Sequence, residues 1–199
     1  MTLHVVRHGR TEANASGLLL GRADPALDDV GRRQATAIGR ALPACSIVVT
    51  SPLSRCRETA ELIAEHGQVD DIVVDDRLLE IDYGDLDLTP LREVPNTLWR
   101  DWQADTGFRP PGGETLEELG ERVARCLDEL WPRAVVDEVA VVTHVSPIKA
   151  ALAWALGVSI AISWRCFVAQ ASITRIGSGT AGPSLHLFND TTHLTELPS

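Results

Sequence analysis

Two short apolar runs in this chain end in residues that can handle an anion. Leu3-His4-Val5-Val6 leads into Arg7-His8, and Gly9 then lets the backbone turn sharply. Val139-Ala140-Val141-Val142-Thr143 ends in His144. Each run reads as a buried strand that delivers an imidazole at its carboxyl end, the edge where open α/β sheets bind ligands. A single strand-end histidine is more often structural than catalytic. Two of them, one beside an arginine, make a site the competing reading. Arg55 and Arg57 follow a third run, Ser46-Ile47-Val48-Val49-Thr50, and carboxylates crowd the stretch from Glu80 to Asp87. A guanidinium offers a planar fork of donors that matches phosphate oxygens. Taken singly, each arginine is better explained by a surface ion pair; placement after successive strand ends weakens that account. A histidine among such cations stays neutral and nucleophilic near pH 7. The chemistry suggested is phosphoryl transfer to an imidazole, assisted by positioning and charge without a metal.

The elements that must position these groups alternate in type. Helical spacing runs from Leu27 to Leu42, closed by Pro43. Ser51-Pro52 fits an N-cap with proline at the first helical position, opening a helix to about Glu65, and Ser146-Pro147 repeats that start for a helix to about Leu156. Asp71 to Val74 reads as a short strand, Pro90 to Ala104 as a weak helix, and Glu114 to Leu130 as a strong helix ended by Trp131-Pro132. Arg165 to Ile176 and Leu185 to Asn189 read as strands joined by a glycine-rich loop, with an irregular tail from Thr191. This order predicts an α/β three-layer sandwich, a largely parallel central sheet flanked by helices, with a C-terminal antiparallel hairpin. Residues 1–199 are expected to form a single domain.

A net charge of −10 argues against nucleic acid or an anionic membrane surface as partner. No apolar run approaches the roughly 20 residues of a membrane span, and the start lacks the regions of a signal peptide. Cys45, Cys56, Cys126 and Cys166 have no metal-type spacing and read as reduced thiols of a cytoplasmic protein. Gly177-Ser178-Gly179-Thr180-Ala181-Gly182 matches the dinucleotide fingerprint, but Pro183 and a strand follow where that motif needs a helix, so it reads as a hairpin loop. His4 lies within the first strand, and His66, His186 and His193 have no placed partner.

Taken together these blocks resemble the histidine phosphatase superfamily, the phosphoglycerate-mutase-like proteins, across nearly the whole chain. Val6-Arg7-His8-Gly9-Arg10-Thr11-Glu12-Ala13-Asn14 is similar to its signature, Ser51-Pro52-Leu53-Ser54-Arg55-Cys56-Arg57-Glu58-Thr59-Ala60 to its second block, and Leu78-Leu79-Glu80-Ile81-Asp82-Tyr83-Gly84 to its third. Pro111-Gly112-Gly113-Glu114-Thr115 and Val142-Thr143-His144 complete the order. The resemblance implies that His8 is the nucleophile that becomes phosphohistidine. Arg7, Arg55, His144 and Asn14 would hold phosphate oxygens, as would the amide of Val145. Glu80 would protonate the leaving group and later activate water, with Asp82 and Asp85 as rivals. It implies no cofactor and no metal, and a small-molecule phosphomonoester as the partner; the oligomeric state stays open, a dimer included.

Two departures stand out. Where the family often has Gly-Asp/Glu-Trp-Glu-Gly, this chain has Gly84-Asp85-Leu86-Asp87-Leu88, and where it often has His-Gly, this chain has His144-Val145-Ser146-Pro147-Ile148-Lys149. The latter block resembles domains related to α-ribazole phosphatases. A metal-independent phosphatase is the expected activity. The alternatives are a phosphoglycerate mutase, disfavoured by the short Gly84 to Pro110 segment, and a phosphoanion-binding module without catalysis. Gly84 to Gly113, with Trp99, Trp102, Phe108, Arg92, Arg100 and Arg109, either covers the pocket and selects the leaving group or packs as core.

Overall fold

Alternation along the inner strands decides the architecture. In β1 (Thr2–Arg7), Leu3 and Val5 join one buried cluster while Val6 joins another. The computed structural model describes residues 1–180 and 182–195. The further strands are β2 (Ile47–Thr50), β3 (Ile72–Val74), β4 (Val139–Thr143), β5 (Ile173–Gly179) and β6 (Gly182–Asp190). They form a six-stranded sheet in the order β3-β2-β4-β1-β5-β6. The pairs β3-β2, β2-β4 and β4-β1 are parallel, whereas β5 runs antiparallel to β1 and β6 to β5.

Helices cover both faces. They are α1 (Glu12–Ala15), α2 (Asp29–Ala41), α3 (Ser54–Gly67), α4 (Asn96–Ala104), α5 (Leu116–Ala134) and α6 (Val145–Leu156). Ile38 of α2 and Cys56, Ala60 and Ile63 of α3 pack on Val6, Val48, Ala140 and Val142. Leu119, Val123 and Leu127 of α5 and Ile148 of α6 pack on Leu3, Val5, Val49 and Val141. The strands buried on both faces therefore carry continuous apolar runs, as parallel strands must. This is the expected α/β layering with its antiparallel hairpin. No helix among the described residues is long and apolar enough to cross a membrane.

Element ends differ from the sequence reading for identifiable reasons. α3 starts at Ser54 because Asp24 caps it: Ser54 N and Oγ donate to the two Asp24 carboxylate oxygens at 2.6 and 2.7 Å. Ser51, the expected cap, is engaged elsewhere. α6 starts at Val145, with His144 in the N-cap position, so Ser146 and Pro147 fall inside its first turn, where a proline is tolerated. α5 starts at Leu116 behind a Thr115–Glu118 capping box and runs through Pro132 to Ala134. The lost backbone bond there is offset by burial of Ala134 and by Trp131 packing edge-on against Trp154 at 5.6 Å. The expected strand from Arg165 begins only at Ile173. The Val168 carbonyl accepts from Arg7 Nη1 at 2.7 Å and Ala169 N donates to Asn189 Oδ1 at 2.6 Å, so that backbone serves the site and the hairpin instead of a ladder. The glycine-rich segment is the β5–β6 hairpin turn, although Ala181 lies outside the described residues. In the tail Thr192–Leu194 makes a 3-10 turn, and positions 196–199 lie outside the described residues.

The turn after β1 rests directly on α2. A Cβ on Gly9 would stand 2.3 Å from the Gly31 carbonyl oxygen, and one on Gly31 would stand 2.0 Å from the Arg10 carbonyl oxygen. Neither neighbour is a flexible side chain, so one of the two backbones must move. Gly31→Ala is expected to cost about 1–3 kcal/mol, the usual penalty of overpacking, read as a lower urea midpoint. An unchanged midpoint would show that the turn has room to yield.

Candidate active site

The in-register pairing of β1 with β4 sets Arg7 opposite Thr143. The next residues on each strand, His8 and His144, are thereby neighbours, and His8 N donates to the Thr143 carbonyl at 3.0 Å. Their rings meet edge to face with centroids 5.1 Å apart. β2 adds the third strand end: Ser51 N donates to the Val142 carbonyl at 3.0 Å, and the Ser51 hydroxyl sits 2.8 Å from His144 Nε2.

His8 is buried, and its Nδ1 lies 2.7 Å from the Gly9 carbonyl oxygen. A carbonyl can only accept, so Nδ1 carries the proton and the Nε2 lone pair is free. Burial first, then the charges of Arg55 and Arg7, holds the ring's pKa well below that of a free imidazole. Burial followed by Arg55 and His8 does the same to His144. Arg7 gives Nη1 to the Val168 carbonyl, and its buried Nε has no partner. Burial pushes the Arg7 pKa down to about 10, which leaves it charged at neutral pH.

Arg55 is fully buried. Its Nη1 and Nη2 donate to the carbonyls of Ala23 and Gly21 at 2.7 and 2.8 Å, and its Nε to His144 Nδ1 at 3.3 Å. That loop is itself braced, because Gly21 N and Ala23 N each donate to the Asp87 carboxylate at 2.7 Å. Asp87 thus acts on Arg55 through the loop between them.

Glu80 is buried against the start of α6. Its carboxylate accepts from the amides of Ile81 at 2.8 Å, Val145 at 3.1 Å and Ser146 at 3.1 Å, so it caps α6 from across the sheet. The Val145 amide expected to meet phosphate is here given to Glu80. A cavity of about 240 Å³ is lined by Arg7, His8, Asn14, Glu80, Val145 and Gln170, among others. Asn14 Oδ1 accepts from Thr11 N and Oγ1 at 3.2 and 3.0 Å, which leaves its amide N–H groups for a ligand. Arg55 and His144 stand behind His8 and do not line this cavity. Asp82 accepts from Gly84 N at 2.8 Å, and neither it nor Asp85 lines the cavity.

A neutral imidazole near the charges of two arginines, in a cavity also lined by a carboxylate, fits what the comparison with known families finds. Residues 3–191 match the model of the histidine phosphatase superfamily, branch 1. The chain belongs to the histidine phosphatase superfamily. It is 35% identical over 199 residues to a Mycobacterium tuberculosis protein described as bifunctional, covering 96% of this chain and 54% of that one. The chain therefore spans about half the length of that relative. It is 35% identical over 155 residues to a 2,3-bisphosphoglycerate-dependent phosphoglycerate mutase of Parvibaculum lavamentivorans, covering 71% of this chain and 73% of that one. The α-ribazole phosphatase of Shigella flexneri superposes with a TM-score of 0.83 at 25% identity, covering 96% of both chains. The chain's matches thus include relatives of both phosphatase and mutase type.

Several supporting residues of the site carry no sequence signal. Gln170 lines the cavity from an irregular segment that reads as strand. Arg122, one arginine among many, gives Nη2 to the Glu80 carbonyl at 3.2 Å and Nε to Glu114 at 2.6 Å. Thr59 accepts from Gly9 N at 3.2 Å and donates to the Arg55 carbonyl at 2.7 Å, tying the two blocks together. Among the residues weighed as cover, Arg109 pairs with Glu118 on the surface, and Arg92 and Arg100 are exposed. His4 is paired with Glu138 at 2.7 Å.

The two buried rings link the site to acid stability. Their folded pKa values lie below that of the unfolded chain, near 6.5. Unfolding therefore takes up protons below about pH 6.5 that the native site refuses, and stability falls as pH falls, by up to about 1.4 kcal/mol per pH unit for each ring. Urea midpoints should be level above that pH and decline between 6.5 and 5. His8→Asn and His144→Asn should each flatten the decline, and an equally steep decline in both variants would contradict the account.

Proposed function

We propose that this protein is a metal-independent phosphomonoesterase acting on a small phosphorylated metabolite through a phosphohistidine at His8. The observation that carries the reading is the His8 ring: neutral, with Nδ1 committed to Gly9 and Nε2 free, in a cavity that Arg7, whose Nε is unpartnered, also lines. The Nε2 lone pair attacks phosphorus and the bond to the ester oxygen breaks. Glu80 delivers a proton to that oxygen, so the product leaves as an alcohol. A water then attacks phosphorus, the Glu80 carboxylate takes its proton, and the N–P electron pair returns to Nε2. Arg7 and Asn14 supply fixed donors at the cavity wall, and Arg55, behind His8 with His144, adds fixed charge.

Phosphoglycerate mutase is the second reading, favoured by the identity to the Parvibaculum enzyme. It requires that phosphohistidine outlast its exposure to water and pass its phosphoryl group to a second hydroxyl.

Hydrolysis of p-nitrophenyl phosphate is expected to survive EDTA and to vanish in His8→Ala. Arg7→Ala should lose on the order of 10²-fold in kcat, as for removal of one transition-state donor. Acid-sensitive phosphate trapped on His8 after a rapid quench marks the intermediate. EDTA-sensitive turnover, or turnover by His8→Ala, would overturn the proposal. Faster interconversion of phosphoglycerate isomers than phosphate release would favour the mutase.

A further inference from the structure

Lys149 is the chain's only lysine; the other 17 of its 18 Lys and Arg residues are arginines. It lies on α6 four residues after Val145, hence on the same face of the helix. Its side chain is half-buried, and that burial is the main reason its ammonium pKa is lowered. Among the described residues it makes no hydrogen bond and no ion pair with a carboxylate.

The space it borders is a second cavity, of about 210 Å³, that adjoins the His8 cavity through the shared walls Leu19, Tyr83, Leu91 and Val145. The remaining wall is mostly apolar and aromatic. Trp99 and Trp102 of α4 stack at 5.8 Å, and Trp164 meets both edge-on. Three wall residues nevertheless hold buried hydrogen-bonding atoms without a partner: Ser163 Oγ, Trp102 Nε1 and Trp164 Nε1. Two indole N–H groups and an ammonium can only donate. Buried donors without acceptors are rare in native structures, so the two indole N–H groups suit a ligand that accepts, and the half-buried Lys149 ammonium borders the same cavity. Flat walls suit a ring or short carbon body, and an unpaired ammonium suits an anion.

We propose that this second cavity receives the leaving alcohol, and that Lys149 selects phosphomonoesters whose alcohol carries a carboxylate on a compact apolar or aromatic body. A carboxylate has lone pairs for several donors at once and is small enough to share the cavity with one ring. A neutral alcohol of the same shape leaves Lys149 unpaired and loses its hydration as well, which makes it the poorer substrate. Trp99 and Trp102 then serve both accounts of the cover segment, since Trp102 is core and both line the cavity.

The catalytic arm of the test rests on the phosphatase reading, so a binding arm accompanies it. Phenyl phosphate, 3-carboxyphenyl phosphate and its neutral isostere 3-carbamoylphenyl phosphate are compared by kcat/KM. The wild-type protein should prefer the carboxylate over the carboxamide by about tenfold or more, the scale of one charge-assisted hydrogen bond. Lys149→Met should collapse that ratio and Lys149→Arg should retain part of it. A role of Lys149 through its neighbour Glu80 alone would lower all three esters together and leave the ratio intact, which would overturn the proposal. In the binding arm, 3-hydroxybenzoate and 3-hydroxybenzamide are titrated while the tryptophan indole N–H resonances are followed by NMR. The benzoate should shift the signals of Trp102 and Trp164, identified with Trp102→Phe and Trp164→Phe, and the shift should be lost in Lys149→Met. Equal response to the benzamide would overturn the proposal. Absence of turnover with all three esters would instead overturn the phosphatase reading, with the binding arm still deciding the cavity.

Discussion

The register of β1 against β4 is the constraint on which the site depends. A parallel ladder allows one residue to face one residue, and here Leu3 stands opposite Val139 and Arg7 opposite Thr143. Slipping that register by one residue would turn every side chain of β1 to the other face, burying Arg7 in the α2–α3 layer and exposing Val6 to the α5–α6 layer. The two separate apolar clusters therefore lock the register. The locked register in turn sets His8 beside His144 with no contribution from the residues' own chemistry. The site is a by-product of core packing on both faces of one sheet.

Electrostatics at that edge are mutually dependent. Burial first, and then the neighbouring arginines, keeps the imidazoles neutral, and neutral rings let the arginines sit there without further repulsion. Carbonyls at Gly21, Ala23 and Val168 occupy part of the guanidinium donors, and Asp87 holds the loop that offers two of them. Asp87 occupies one of the positions where the chain departs from the family pattern, and the structure gives it a bracing role that its altered neighbours Leu86 and Leu88 do not share. Glu80 joins the same network at the other side, capping α6 through amides that lie next to His144. One carboxylate thus fixes the start of the helix, and with it its own placement relative to the second imidazole.

Much of this was legible in the sequence because the relevant signals are local. Apolar runs ending in Arg-His and in His marked the strand ends, and the alternation of strands with helices marked the layers. The element ends were less legible, since caps came from far along the chain: Asp24 serves α3 and Glu80 serves α6, while Ser51, a plausible cap by spacing, turns to His144 instead. Gln170 and Arg122 were invisible for a related reason. Gln170 reaches the cavity from an irregular segment whose backbone is diverted to Arg7 and Asn189, and Arg122 is distinguished from other arginines only by what lies across from it. The Gly84 to Gly113 segment was readable as either cover or core, and the fold makes it both, because Trp102 is buried while still forming a wall.

The choice of cation at each place follows from burial. Arg7 is half-buried with its Nε enclosed, yet its pKa falls only to about 10, so the His8 cavity keeps that charge at neutral pH. A lysine starts about two units lower than arginine and loses more when it is desolvated, because its charge is concentrated on one nitrogen. In the same place it would approach neutrality and present a point charge in place of a planar fork. The single lysine instead lies one helical turn past the cleft, where the walls are aromatic and only partly closed. There a compact, rotatable ammonium can follow a group whose position varies, while the rigid forks of the arginines define the one group that does not. On the proposed function, this division of cations between the two cavities matches a division between what is common to phosphoesters and what differs among them.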